Sequence, residues 1–155
     1  MAGAKARIDH LLATLQKTKT TLIIPTPALA EALVRLDPQV AARFIERVNR
    51  TSAVKLAPFD VLEALEAAAM ASEALTSGDK RGGAKGDYQK VKVDRQIVAI
   101  AKFHGASTIY SNDSDIRVLA HAHGISVIGV EELPLPPRPD EPELLKRMQL
   151  AAEAE

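Results

Sequence analysis

Asp94, Asp113 and Asp115 are the residues of this chain whose types and spacing best suit catalysis, and all three lie in DRQIVAIAKFHGASTIYSNDSD. Asp94 opens an apolar helical pattern carrying Ile97, Val98, Ile100 and Ala101, and a turn at Gly105 leads into a short apolar strand. That strand runs into SNDSD, which puts Asp113 and Asp115 just past its carboxyl end, where ligands collect in open α/β sheets. Carboxylates held close together repel unless a cation or proton lies between them. Acids gathered there from two elements therefore point to a divalent ion with hard oxygen ligands, Mg²⁺ or Mn²⁺. Ser111 adds a small hydroxyl that can orient a water beside them. Each acid also has a plainer explanation. Asp113 or Ser114 can cap the next helix, Asp115 can favour its dipole, and Asp94 can be an ordinary first-turn acid.

Other candidates carry weaker signals. Glu31 lies in the mainly apolar ALAEALV, where a buried unpaired carboxylate is costly, although Arg35 one turn on offers an ion pair. His121 and His123 are two apart and would diverge on a helix, while His10 and His104 fall on helix faces or ends, so no histidine reads as a ligand. The glycine-rich TSGDKRGGAKGDYQKVK (76–92) lacks a GK[ST] ending and is not a P-loop. Its Lys80, Arg81 and Lys85 can track a phosphate backbone, or keep a mobile loop soluble.

The elements that must position these groups alternate. Helical spacing covers 4–17, 27–35, 38–49, 58–75, 94–104 and 116–123, and short apolar strands fall at 21–24, 54–56, 107–110 and 126–130. This order predicts an α/β fold whose mostly parallel sheet carries helices on both faces. ELPLPPRPDEPE (132–143), with five prolines, reads as an extended linker, and 144–155 as a short C-terminal helix or tail.

Composition narrows the classes. At 155 residues the chain is long enough for one well-buried domain. Lys+Arg and Asp+Glu both number 20, so a nucleic-acid partner must be held by a local basic surface. Without cysteine there are no disulfides, thiolate nucleophiles or cysteine zinc sites. Aromatics at 3% argue against base-stacking platforms. No apolar run approaches the roughly 20 residues that cross a bilayer, and no signal peptide is visible, so the expectation is a cytoplasmic protein with no membrane partner.

Taken together, Glu31 after an early strand, Asp94 at a later helix and the S-x-D-x-D of Ser111, Asp113 and Asp115 resemble the PIN domain family of metal-dependent ribonucleases. The resemblance spans roughly residues 4–131 and is strongest in DRQIVAIA and TIYSNDSD, with IPTPALAEAL similar to the segment bearing the family's glutamate. It implies a three-layer α/β/α domain over 1–131 that cleaves RNA phosphodiester bonds with Mg²⁺ or Mn²⁺. Glu31, Asp94 and Asp113 would be metal ligands, Asp115 an additional acid, and Ser111 a group positioning water or phosphate. Many relatives are toxins of bacterial toxin–antitoxin pairs, which implies an antitoxin-like partner and a homodimer; others process RNA.

One part of the family pattern has no counterpart. PIN domains begin with a strand ending in an aspartate that binds metal, and that strand lies centrally, between the ones seen here at 21–24 and 107–110. This sequence starts with the helix that would follow, and Asp9 in RIDHLL reads as helix interior. A chain starting downstream of its natural beginning, a strand borrowed from another chain, or closure of the remaining strands would each accommodate this; the retained acids favour the first. Two rival functions follow. One is a non-catalytic module that keeps the fold and binds RNA or a protein. The other is a small Mg²⁺-dependent phosphohydrolase or receiver-like domain, which Glu131-Glu132 after the last strand fits poorly.

Overall fold

The computed structural model describes residues 3–137. Its elements run α1 (Ala4–Lys17), β1 (Leu22–Pro25), α2 (Thr26–Leu33), α3 (Pro38–Asn49), β2 (Val54–Ala57), α4 (Val61–Thr76), α5 (Tyr88–Phe103), β3 (Thr108–Tyr110), α6 (Ser114–Ala122) and β4 (Ser126–Ile128), closed by a 3₁₀ turn at Val130–Glu132. Local signals fix most boundaries. Asp37 caps α3 by accepting from the Gln39 N–H at 2.8 Å, with Pro38 behind it in the first turn. Asp60 caps α4 and Glu63 reaches back to the Asp60 N–H, so this helix starts three residues after Pro58.

The expected α/β alternation and parallel pairing are present, but the strands do not form one sheet. β1 pairs in parallel with β2, from Leu22↔Val54 to Pro25↔Ala57, and β3 pairs in parallel with β4, from Thr108↔Ser126 to Tyr110↔Ile128. Two separate two-stranded sheets result. Between them lies a cleft of about 530 Å³, bordered by Leu22 and Ile23 of β1 and by Thr108, Ile109 and Tyr110 of β3, with Ile97 and Ala101 of α5 beneath. Among the described residues the two strand pairs do not close into one sheet.

Backbone direction along the cleft follows from pairing. The Leu22 N–H donates to Ala53 O and the Ser111 N–H to Ile128 O, so these residues face their sheet partners. Because strand residues alternate, Ile23, Thr108 and Tyr110 turn their peptide groups the other way, into the cleft.

The core centres on α5. Val91, Val98, Ala99 and Ile100 are fully buried, and the first three pack in one cluster with Met70 of α4, Ile116 and Leu119 of α6 and Val127 of β4. Burying a valine or isoleucine side chain stabilises by about 1.5–3 kcal/mol, so this helix is the mechanical reference for the groups it carries. The 132–143 segment is not wholly a free linker. Leu133 is buried and its carbonyl accepts a hydrogen bond from Arg7, which ties the segment to α1. Its remainder beyond 137, and the helix or tail expected at 144–155, lie outside the described residues.

Candidate metal centre

α5 begins earlier than its apolar pattern suggests. The Asp87 carboxylate caps it, accepting from the N–H groups of Gln89 at 2.9 Å and Lys90 at 3.1 Å, so helix replaces the last residues of the expected loop. Asp94 therefore lies about two turns inside α5 and is no first-turn acid. It is buried at 4% exposure, and capping does not account for it.

Asp113 does serve as a cap. It precedes α6, and its Oδ1 accepts from the Asp115 N–H at 2.8 Å and the Ile116 N–H at 3.4 Å. Its other oxygen, Oδ2, turns to the site. The Ser111 hydroxyl accepts from the Asp113 N–H at 3.1 Å and shapes the turn between β3 and α6. Asp115, in the first turn of α6, is buried and cradled by the 77–87 loop. The Lys85 N–H donates to its Oδ1 at 2.8 Å and the Gly86 N–H to its Oδ2 at 3.1 Å. A Cβ on Gly86 would stand 2.6 Å from that same oxygen, so only glycine permits the approach.

Asp94, Asp113 and Asp115 thus converge from α5 and from the turn after β3, each offering an oxygen within 4.8 Å of the others. The Lys90 ammonium stands among them, donating to Asp94 Oδ2 at 2.7 Å, Asp113 Oδ2 at 2.9 Å and Asp115 Oδ2 at 3.2 Å. Ionisation reflects this geometry. Burial pushes the Asp94 carboxyl above its ordinary value, only partly offset by its hydrogen bond to Lys90. Burial works the same way on Asp113, but there the Lys90 hydrogen bond and the backbone donors outweigh it and hold the carboxyl low. The Lys85 N–H leads the effects that hold Asp115 low. For Lys90, burial disfavours the charge and the three carboxylates overcome it, keeping the ammonium well above the usual lysine range.

The three carboxylates, each offering an oxygen close to the others, can hold a metal ion. Glu31 is not brought into this group. It lies on α2, exposed, so the burial cost that singled it out does not arise, and among the described residues it makes no ion pair with Arg35.

Lys80, Arg81 and Lys85 are exposed on a loop that is docked, not loose. Asp79 accepts from the Arg81 N–H at 2.9 Å and the Gly83 N–H at 2.7 Å, the buried Arg95 guanidinium donates to Lys80 O at 3.0 Å, and Ala84 is buried. The loop meets the acid cluster through the Lys85 and Gly86 amides.

Two features escaped the sequence. Lys90 read as one more loop lysine; its signal was the spacing of four to Asp94, visible only once the helix start is known. The amides of Lys85 and Gly86 carry no side-chain signature at all. No protein-family model matches this chain, and neither does any of the curated proteins compared with it.

Proposed function

We propose that this chain is a PIN-like ribonuclease that cleaves RNA phosphodiester bonds with Mg²⁺ or Mn²⁺. The observation that carries this reading is the meeting of Asp94, Asp113 and Asp115, from two separate elements, at the carboxyl end of β3. Asp94 and Asp113 would hold the ion, with Asp115 as the additional acid; Glu31, exposed on α2, lies outside the group. When bound, the ion neutralises phosphate charge and activates water. The protein's own groups do the rest. Ser111 positions water or a phosphate oxygen at the β3 turn, and Lys80, Arg81 and Lys85 hold the strand's phosphates beside the cluster. A role as the toxin of a toxin–antitoxin pair belongs to the same proposal, as do a homodimer and an antitoxin-like protein partner.

The test is cleavage of end-labelled single-stranded RNA in Mn²⁺ by the protein and by Asp113→Asn. Asparagine retains the helix cap, so it removes the charge and spares the fold. Activity in the parent and at least a hundredfold less in the variant is the expected result, a loss of about 2.7 kcal/mol in transition-state stabilisation. Equal activity in both would remove the assignment.

A second reading, a non-catalytic binding module, draws on a specific observation. Val61, Leu62 and Leu65 are exposed along the start of α4, an apolar surface of the kind a protein partner covers. Silent RNA turnover with RNA or protein binding intact would favour it.

A further inference from the structure

Lys90 is the group in this site that neither the metal reading nor the architecture of α5 explains. It stands in the first turn of α5, where the helix dipole disfavours a cation. Its order with Asp94, lysine first and acid four residues later, is the less favourable one for helix stability. Lys80 and Lys92 both lie 4.8 Å from the neighbouring Tyr88 ring, adding like charge to the same end of the helix. Helix dipole, pair order and the neighbouring lysines all oppose an ammonium here, with the Asp87 cap the one local charge of opposite sign. The cluster favours it, and Lys90 reaches all three aspartates.

We propose that Lys90 is a built-in competitor of the divalent ion, holding Asp94, Asp113 and Asp115 together in the metal-free protein and yielding its place when metal binds. The inference rests on the metal reading above and concerns how that site is regulated. Formally, three carboxylates and one ammonium leave two negative charges uncompensated, so the cluster still attracts a divalent cation while Lys90 is in place. The ammonium cannot share the space between the carboxylates with that cation: both need the same oxygens, and their charges repel. Its exit is open. The Lys90 side chain is 39% exposed, against 6% for Asp94, and its flexible four-carbon stem lets the charged end swing to solvent without moving the helix. The lysine thus sets a threshold. It keeps the acids assembled at low metal concentration and weakens binding by the cost of its own displacement.

Mn²⁺ titration followed by loss of the free-ion electron paramagnetic resonance signal tests this on the full chain, its Lys90→Met and Lys90→Gln variants, and Asp113→Asn. Both Lys90 variants are expected to bind Mn²⁺ about tenfold tighter or more, since in each the ion no longer has to displace a set of charge-assisted hydrogen bonds. Without metal, their melting temperatures should fall below the parent's, and saturating Mn²⁺ should close that gap. Glutamine keeps a hydrogen-bond donor without the charge and serves if methionine prevents folding. Unchanged or weaker Mn²⁺ affinity in the Lys90 variants, with parent binding abolished by Asp113→Asn, would overturn the competitor role and leave the metal site standing. No Mn²⁺ binding by the parent or by either Lys90 variant would overturn both.

Discussion

Asp94 and Asp113 both bond to the Lys90 ammonium, yet burial dominates one and hydrogen bonding the other. Asp94 lies inside a helix and draws on no backbone donor at its carboxylate. Asp113 sits ahead of α6 and accepts from two N–H groups of its first turn. Their substitutions should therefore differ in the metal-free protein. Asp113→Asn gives up a half-exposed charge-assisted bond while keeping the cap, and a loss of about 1 kcal/mol is expected after allowing for solvent screening. Asp94→Asn relieves a buried carboxylate whose charged form the fold disfavours, so stability should hold or rise. Urea unfolding midpoints of the two variants at neutral pH check this; a larger loss for Asp94→Asn would mean that Lys90 more than compensates its burial.

The 77–87 loop carries Lys80, Arg81 and Lys85 and touches the acid cluster through the Lys85 and Gly86 amides. Replacing Lys80, Arg81 and Lys85 together by alanine should weaken RNA binding and flatten its salt dependence, by about 0.7 in slope for each phosphate of the single strand that the protein then leaves unneutralised. An unchanged slope in a filter-binding series would make these residues a solubility feature. The loop's shape depends on Asp79, whose carboxyl is held below its ordinary value of 3.8, first by the Gly83 N–H and then by the Arg81 N–H. A depressed acid stabilises the fold above that value and loses its contribution as pH falls through the lower folded value. Asp79→Asn should thus be less stable than the parent at neutral pH, and the difference should shrink as pH falls below 3.8. Acid unfolding curves that superimpose for parent and variant would show the loop held by Arg95 and Ala84 instead.

At the scale of the molecule, the divided sheet is the feature with the largest physical consequence. Ile23, Thr108 and Tyr110 turn peptide groups into a cleft where, among the described residues, no strand pairs with them, whereas Leu22, Ser111 and Ser126 donate across a sheet or at its end. Hydrogen exchange should separate the two sets, with the amides of Ile23, Thr108 and Tyr110 exchanging at least tenfold faster than those of Leu22, Ser111 and Ser126. Equal protection would mean that the cleft edges are covered in solution. Among the described residues no helix is long and apolar enough to cross a membrane.

The sequence by itself determined the elements and two of the three acids' positions. Apolar period, prolines and caps act within a few residues, so α1, the Asp37 cap, the parallel strand–helix alternation and the S-x-D-x-D turn after β3 were all legible. Asp94 was legible as a candidate but misplaced, because the apolar face of α5 begins after its true start and the Asp87 cap looked like loop. Tertiary structure alone decided the rest. Whether four strands share one sheet depends on pairings between distant segments, which no local pattern records. The convergence of Lys90 on three carboxylates, and of the Lys85 and Gly86 amides on Asp115, is likewise set by how the loop docks against α6. Glu31 shows the converse: an apolar sequence neighbourhood suggested burial, but burial belongs to the fold, and α2 turns this residue to solvent.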